Sequence, residues 1–316
     1  MVDFTVAIPT YNGEHRLPEV LEQLRSQIIS APLSWEVLVI DNNSQDGTAE
    51  VVKAFQANFP CPVRYCLETR QGAGFARKRA IEEAGSALVG FLDDDNLPDL
   101  NWVESAYQFA QQYPKAGAIA SRIQGEFEVE PAAELKPILP FLAITERGTK
   151  PLQYNSSKRV FPPSAGLVVR RSVWLSHVPF HIILGGRANG NMLTGEDTEV
   201  LAHIARSGWE IWYNPAMVVK HKIPAWRLER EYLIPFFRGI GLSRCVTRMS
   251  GIKPWQRSVM LLAYLMNDLR KIIGHWLKYH HQFKTNLVAA CHMELFMSSL
   301  WSPFYLWKMG YFNQSK

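Results

Sequence analysis

The first part of the chain alternates continuous apolar runs with amphipathic stretches. The apolar runs predict strands at 4–10, 35–43, 62–68, 87–95 and 117–121, and the stretches between them predict helices near 15–29, 46–57, 71–85 and 99–112. Strands that are apolar throughout, separated by helices of about a dozen residues, are typical of a parallel sheet with helices on both faces. The pattern therefore predicts an α/β protein.

The later part of the chain follows a less regular pattern. It predicts an irregular excursion over 122–160, a strand that runs into a helix over 164–174, a helix from Thr194 to Gly208 and two short strands over 209–221. From about residue 226 onward the pattern becomes helical, basic and aromatic. We therefore expect one domain over 1–225 and a separate helical region over 226–316.

Composition fits a globular protein, and the charge distribution adds a second feature. Apolar residues make up 47% of the 316 residues and charged residues 20%. Residues 220–316 hold 15 Lys and Arg against 4 Asp and Glu, whereas residues 1–219 hold 19 against 25. A basic region that also contains many tryptophans suits docking on an anionic membrane surface. A helical subdomain packed on the core is the alternative, because amphipathic helices serve both purposes.

Targeting and membrane-spanning signals are weak. The N-terminal stretch lacks the basic and apolar regions of a signal peptide. No run of 18 or more residues is predominantly apolar without charge, and the nearest candidate, 286–307, contains Glu294 and Pro303. The spacing of the four cysteines fits neither a zinc site nor a disulfide framework. We therefore expect a cytoplasmic protein, peripheral at most on the inner face of the plasma membrane.

Three consecutive aspartates, Asp93, Asp94 and Asp95, follow the predicted fourth strand without a spacer. In open parallel sheets ligands bind beyond the carboxyl ends of the strands, which is where this run would lie. A solvated turn that caps the next helix is one interpretation. A buried strand that ends directly in carboxylates favours a ligand instead, because two aspartates separated by one residue offer oxygen donors to a hard divalent cation.

Several other positions have both a structural and a functional interpretation. Asp41 closes the second strand, either as a turn residue or as an acceptor for a ribose hydroxyl or a base N–H. Glu196 and Asp197 either stabilise the first turn of a helix or hold a general base in the cleft. His221 is either a core histidine or a ligand to a diphosphate or metal. The basic stretch 71–80 lacks the third glycine of the dinucleotide fingerprint, but it suits a diphosphate at a helix start.

Taken in order, seven segments resemble the family 2 glycosyltransferases, which are inverting enzymes with the GT-A fold. They are VAIPTYNG (6–13), VLVIDNNSQDGT (38–48), GAGFARKRA (72–80), VGFLDDDNLPD (89–99), SAGLVVRRSVW (164–174), TGEDTEVLAHIARSGWEIWYNP (194–215) and VVKHK (218–222). The resemblance covers roughly residues 4–222. It implies a GT-A domain, Rossmann-like with a mostly parallel sheet flanked by helices, and the basic helical region after residue 226 would extend it at the C-terminus.

The resemblance also implies which residues bind the nucleotide of the donor. Pro9, Thr10 and Tyr11 match the first-strand motif that lines the nucleotide pocket. Asp41 matches the acid that bonds the base, and Arg77 matches a basic position that faces the nucleotide. Many relatives have asparagine where this chain has a lysine directly after Arg77, so that lysine receives no role.

The carboxylates of the later motifs carry the chemistry that the resemblance implies. Asp93 matches the first acid of the Asp-x-Asp motif, near the ribose, and Asp94 lies beside it in the donor site. Asp95 matches the acid that holds Mg²⁺ or Mn²⁺ on the sugar-nucleotide diphosphate. Asp197 matches the catalytic base. Glu196 and His221 are additional candidates.

These matches imply transfer of a sugar from a nucleotide-sugar donor to a hydroxyl of a saccharide or lipid-linked acceptor, in the assembly of a bacterial surface polysaccharide. Family frequency favours UDP slightly over GDP or dTDP. The QxxRW-type motif of processive synthases is absent after Gly208, which favours addition of one sugar per encounter. The segment 183–191 is interpreted as a loop that closes over substrate.

Three other classes of function remain alternatives on the sequence alone. A sugar nucleotidyltransferase would share the sheet and the acidic site, but its Gly-rich first-strand loop and signature lysine are missing. A non-catalytic, membrane-associated scaffold would not need all the carboxylates of the site. A nucleic-acid binder would use the basic region, but its apolar and tryptophan content favours lipid or packing, so we expect no nucleic-acid partner.

Overall fold

A computed structural model of the protein describes residues 2–30, 32–155, 160–179, 184, 192–250 and 252–311. Within these residues a nine-stranded mixed sheet has the strand order β3-β2-β1-β4-β8-β6-β9-β5, and β7 pairs with β9. The strands are β1 Phe4–Thr10, β2 Trp35–Asp41, β3 Val63–Leu67, β4 Leu88–Phe91, β5 Asn96–Pro98, β6 Ala116–Phe127, β7 Leu152–Gln153, β8 Val168–Arg170 and β9 Glu210–Ile223.

The helices lie between and after the strands. They are α1 Leu17–Arg25, α2 Thr48–Gln56, α3 Ala73–Glu83, α4 Trp102–Gln112, α5 Arg171–His177, α6 Glu196–Arg206, α7 Arg230–Met249, α8 Arg257–Tyr279 and α9 Leu287–Lys308. The order of the elements confirms the predicted α/β class and the helical C-terminal region.

Helices cover the sheet on both faces because its central strands are buried on both sides. In β1, Val6 and Ile8 belong to an apolar cluster with α1 and α4, whereas the intervening Ala7 belongs to a second cluster with α3 and α6. Successive side chains of a strand point to opposite faces, so one strand contributes to two cores. The continuous apolar runs of the sequence follow from this arrangement.

The sheet is less regularly parallel than the sequence predicts. Strands β3, β2, β1 and β4 are parallel, but β8 runs antiparallel to both β4 and β6. The prediction of two short strands over 209–221 was wrong, because β9 is one strand. Pro215 lies within this strand, although proline cannot donate to a ladder. The pairing of β9 with β6 instead shifts register there, between Ser121 and Arg122.

The excursion predicted over 122–160 begins as regular structure. Strand β6 extends through Phe127 and pairs along its length with β9. Short 3₁₀ turns at Ala133–Leu135 and Leu139–Leu142 follow. Their residues Leu135 and Leu142 are buried in a cluster with α7 and α9, so this stretch connects the sheet to the C-terminal helices.

The three C-terminal helices are packed to different degrees. Helices α7 and α9 bury Leu233, Phe237, Cys291 and Leu295 in the cluster that also holds Ile223 of β9. Helix α8, all of which the structure describes, buries only Asp268. Among the residues that the structure describes, no helix has the length and apolar character needed to cross a membrane.

Candidate active site

A cleft of about 600 Å³ opens at the carboxyl ends of β1, β2 and β4. Its volume is that of an ordinary ligand site. All the site residues predicted from the sequence except Asp41 line it, namely Pro9, Thr10, Tyr11, Arg77, Asp93, Asp94, Asp95, Glu196, Asp197 and His221. Residues that are as far apart in the sequence as Thr10 and His221 therefore share one site.

Asp94 is held by two partners from the start of the chain. Arg16 donates to both of its carboxylate oxygens, from Nε at 3.0 Å and Nη2 at 2.9 Å, and the hydroxyl of Thr10 donates at 2.6 Å. Burial raises the pKa of Asp94, and the hydrogen bonds and charge of Arg16 act in the opposite direction. These contacts connect the end of β1 and the segment before α1 to the three consecutive aspartates.

Arg77 is a buried cation between two acids. Its side chain is 7% exposed and donates to Asp93 Oδ1 at 2.9 Å and to Glu196 Oε1 at 2.7 Å. Burial opposes the charged form, but the nearby carboxylates of Asp93, Glu196 and Asp197 hold the pKa of Arg77 above its ordinary value. The nitrogen Nε of Arg77 is buried without a partner among the described residues. The arginine therefore links Asp93, which follows β4, to the start of α6.

Asp95 and His221 form the third charged contact, together with Arg227. Asp95 Oδ2 accepts from Arg227 Nη2 at 2.9 Å and lies 3.5 Å from His221 Nε2. His221 Nδ1 donates to the carbonyl of Leu142 at 2.9 Å, so its Nε2 is the lone-pair nitrogen that accepts from Arg227 Nη1 at 3.0 Å. Burial alone would raise the pKa of Asp95, but the hydrogen bond and the charge of Arg227 act in the opposite direction, and that pKa lies below its ordinary value.

Asp197 lies in the first turn of α6 and has an unusual acidity. Its Oδ2 accepts from the backbone N–H of Ser164 at 3.1 Å and its Oδ1 from that of Thr198 at 2.7 Å. Burial and the neighbouring carboxylate of Glu196 raise the pKa of Asp197 to about 6, although Arg77 acts in the opposite direction. A carboxylate with this pKa is deprotonated at neutral pH and basic enough to accept a proton.

The turn before α6 is fixed against α7. Gly195 has φ +108°, and a Cβ at this position would lie 2.9 Å from Thr247 Cγ2. The backbone N–H of Thr194 donates to Ser243 Oγ at 3.1 Å. The predicted helix start at Thr194 is thus two residues early, because Gly195 adopts the left-handed conformation and α6 begins at Glu196.

Asp41 lies close to the cleft but does not line it. Its oxygens accept from the backbone N–H of Ser44 at 2.8 Å and from the hydroxyl of Tyr65 at 2.7 Å. The next residue, Asn42, does line the cleft and accepts from the N–H of Gly72 at 2.7 Å. Asn42 therefore connects the end of β2 to the start of α3.

Helix α7 contributes a further set of cleft residues that the sequence did not indicate. One face of the helix lines the cleft with Tyr232, Phe236, Ile240, Ser243, Arg244 and Thr247. Arg16 and Arg227 were also missed. Arg227 comes six residues after His221 in the basic stretch PAWRLER, which was the available signal, whereas nothing in the sequence pairs Arg16 with Asp94. The predicted closing loop, 183–191, lies outside the described residues except for Leu184.

The residues present can be tested against a divalent cation. Among the described residues, no group of three or more His, Cys, Asp and Glu side chains is arranged to hold a metal. Asp95 Oδ2 and the lone pair of His221 Nε2 are suitable ligand types, 3.5 Å apart. Two protein ligands suffice where substrate phosphates and water complete the coordination. The pair fits a cation provided that the guanidinium of Arg227 moves aside.

The fold and the cleft define a glycosyltransferase of the GT-A class. The family model "Glycosyl transferase family 2" matches residues 5–173, and the chain belongs to that family. The chain is 27% identical over 250 residues to "Glycosyltransferase AglE" of Haloferax volcanii, an alignment that covers 72% of this chain and 75% of the relative. These matches confirm the resemblance seen in the motifs.

Other relatives match a smaller part. The poly(ribitol-phosphate) β-N-acetylglucosaminyltransferase TarS of Staphylococcus aureus is 28% identical over 113 residues, 36% of this chain and 20% of TarS. Among solved structures, TarS 1–349 has a TM-score of 0.53 at 13% identity, and the match covers 96% of this chain and 91% of that one. GalNAc-T7 with UDP, GalNAc and Mn²⁺ has a TM-score of 0.55 at 13% identity, covering 81% and 52%. At this identity the structures confirm the fold.

Proposed function

We propose that the protein is an inverting, non-processive glycosyltransferase that moves a sugar from a UDP-sugar to a hydroxyl of a saccharide or lipid-linked acceptor. The observation that carries the proposal is Asp197, a partly buried carboxylate with a pKa raised to about 6 in a cleft at the carboxyl edge of the sheet. Relatives named for teichoic acid biosynthesis and poly(ribitol-phosphate) modification support a role in cell-surface glycan assembly.

The donor nucleotide would occupy the β1 and α3 side of the cleft. Pro9, Thr10 and Tyr11 line this part, together with Arg77 and Asp93. Asp41 is proposed to act on the base, a role that requires it to exchange its contact with the Tyr65 hydroxyl. The structures of TarS with UDP and with UDP-GlcNAc support a UDP-sugar as donor.

Asp95, with His221 beside it, would hold the cation. Mg²⁺ or Mn²⁺ bound there would neutralise charge on the diphosphate of the donor. The Mn²⁺ in GalNAc-T7 supports a metal in a related fold. Arg227 contacts the same carboxylate oxygen and becomes available to the diphosphate when it is released.

Asp197 would accept the proton of the acceptor hydroxyl while that oxygen attacks the anomeric carbon. The backbone N–H groups of Ser164 and Thr198 fix the orientation of its carboxylate. Glu196, held by Arg77, keeps the pKa of Asp197 raised. The fold thus supplies a positioned base. Alignment of the attacking hydroxyl with the leaving group would contribute further to the rate enhancement.

We further propose that the GT-A domain spans 1–225 and that the helical region 226–316, which completes the cleft through α7, docks on anionic lipid through α8. Helix α8 and the turn before it expose an apolar stripe at alternating spacings of four and three residues, namely Trp255, Val259, Leu262, Met266, Leu269, Ile273 and Trp276. Arg257, Arg270 and Lys278 are exposed on the same helix, whose one acid, Asp268, is buried. Exposed apolar and basic side chains on one helix favour an anionic membrane surface.

A thermal-shift panel tests the donor site without an acceptor. UDP, GDP, dTDP and CDP are each added with Mn²⁺ and with EDTA. We expect a metal-dependent shift with UDP that is lost in Asp95→Ala and kept in Asp99→Ala, an exposed aspartate four residues later. A shift with a different nucleotide would replace UDP as the donor base. No shift with any of them, in folded protein, would favour a non-catalytic scaffold.

A further inference from the structure

Arg244 of α7 is a cleft residue that forms no ion pair with an acid in the part of the chain that the structure describes. It lines the same cleft as Asp197. Its one hydrogen bond among the described residues is a long one, from Nη1 to Ser299 Oγ at 3.4 Å, and no described carboxylate lies within salt-bridge distance. Burial and the charge of Arg248 lower the pKa of Arg244 to about 10. A partly buried guanidinium in this state is stabilised by any anion that reaches it.

The neighbours of Arg244 add positive charge. The one nearby acid among the described residues, Asp268, accepts two hydrogen bonds from Arg248, at 2.5 and 2.8 Å. Lys271 packs its ammonium over the Phe296 ring, and burial together with Arg244 lowers its pKa. Arg244 and Lys271 thus carry two positive charges with which no described acid forms an ion pair. Arg244 is the one of the two that lines the cleft, and the charge of Lys271 adds to the attraction for a dianion such as phosphate.

The position of Arg244 assigns this anion to the acceptor. Two residues on the same face of the helix, Ser243 and Thr247, pack against Thr194 and Gly195, directly before the proposed catalytic turn. The donor diphosphate is proposed to bind at Asp95, which is engaged by a different arginine. An anion at Arg244 therefore belongs to the molecule whose hydroxyl Asp197 deprotonates.

We propose that Arg244 binds a phosphate group of the acceptor, an inference that rests on the proposed transferase function. The same chemistry occurs in a polyol-phosphate chain and in a saccharide linked to a prenyl diphosphate. Both present a phosphate close to the hydroxyl that is glycosylated.

Calorimetry with inorganic phosphate tests the proposal on protein saturated with UDP and Mg²⁺, so that the donor site is filled. We expect binding that weakens about ten- to a hundredfold in Arg244→Gln, the value of a charge-assisted hydrogen bond. Arg244→Lys should retain part of the affinity. Arg238→Gln, on the same helix but paired with Glu294 outside the cleft, should change nothing.

Further titrations distinguish the two sources of the phosphate and separate the role of Arg244 from the proposed transferase function. Glycerol 3-phosphate represents a polyol phosphate and farnesyl diphosphate represents a lipid-linked acceptor, and the tighter of the two identifies the source. Phosphate that does not bind the wild type, or binds Arg244→Gln equally well, would overturn the role of Arg244. UDP is titrated separately into the same variants, and failure of UDP to bind the wild type would overturn the transferase proposal instead.

Discussion

Arg227 Nη2 lies 2.9 Å from Asp95 Oδ2, although 132 residues separate the two in the chain. Asp95 is the carboxylate that we propose holds the metal ion. A guanidinium and a divalent cation cannot share one carboxylate oxygen without repulsion. Any cation that binds Asp95 must therefore displace Arg227.

The first prediction concerns this displacement. Arg227→Gln should bind Mn²⁺ about tenfold more tightly in the absence of nucleotide, because a unit charge roughly 4 Å away is worth on the order of 1–4 kcal/mol. The free Mn²⁺ signal in electron paramagnetic resonance measures the affinity. Arg122→Gln, in a surface ion pair with Glu146 outside the cleft, is the matched control. Unchanged or weaker Mn²⁺ binding would contradict the competition.

The second prediction concerns the proposed base. Asp197→Asn should lower turnover about 10²- to 10⁴-fold, the usual contribution of a general base. The amide keeps the shape of the side chain, so nucleotide-induced thermal shifts should be retained. Release of UDP from the donor in the presence of acceptor measures turnover. A variant with a nearly wild-type rate would show that another group removes the proton.

The third prediction follows from the pKa of Asp197. A base with a pKa of about 6 is protonated and inactive below that pH, so kcat/KM should fall about tenfold per pH unit below 6 and level off above it. Glu196→Gln removes a charge that raises this pKa, and the acidic limb should move to lower pH. The pH profile of both proteins measures the shift. An acidic limb at the same pH in both proteins would show that Glu196 does not raise the pKa of the catalytic base.

The fourth prediction concerns stability. Arg77→Gln leaves Asp93 and Glu196 without their shared cation, and breaking a buried ion pair costs about 3–5 kcal/mol in the free energy of unfolding. Urea denaturation at pH 7 measures it. Arg79→Gln, on the same helix but 39% exposed and paired with Glu83, should cost less than about 1 kcal/mol. Equal losses of unfolding free energy in both variants would show that Arg77 stabilises the protein no more than an exposed arginine does.

The fifth prediction concerns α8. Leu262→Asp with Met266→Asp should reduce binding to vesicles of phosphatidylcholine and phosphatidylglycerol by tenfold or more, because each apolar side chain contributes about 1.5–3 kcal/mol when buried. Co-sedimentation measures the bound fraction. Val129→Asp, exposed shortly after β6, is the control. Loss of a dimer rather than of vesicle binding in the double variant would identify a second copy as the occupant of the stripe.

The sequence predicted the core of the fold because the buried strands carry a local signal. Strands β1 and β2 were predicted with their first residues correct, since a continuous apolar run bounded by polar residues is typical of a strand buried on both faces. The single strand β9 was missed because Pro215 is a local break signal, and only pairing with β6 overrides it.

The acidic residues of the site were also predictable, because they too carry a local sequence signal. They stand in short motifs, whereas the partners of those acids come from distant segments. Arg16 pairs with Asp94 across 78 residues, and Arg77 pairs with Glu196 across 119. Such pairs are set by tertiary packing, and no periodicity or composition in a single sequence reports them.

Substitutions on the cleft-facing side of α7 differ in their consequences from substitutions at the end of β4 and in α3. Arg77 of α3 is buried and forms an ion pair with Asp93, so a substitution at either residue removes a contact between α3 and the end of β4. The cleft residues of α7, such as Tyr232, Ile240 and Arg244, stand on one helix that follows the sheet in the chain. Under the proposed roles, selectivity for a new acceptor would be changed on a single helical surface while the donor-binding residues are inherited unchanged.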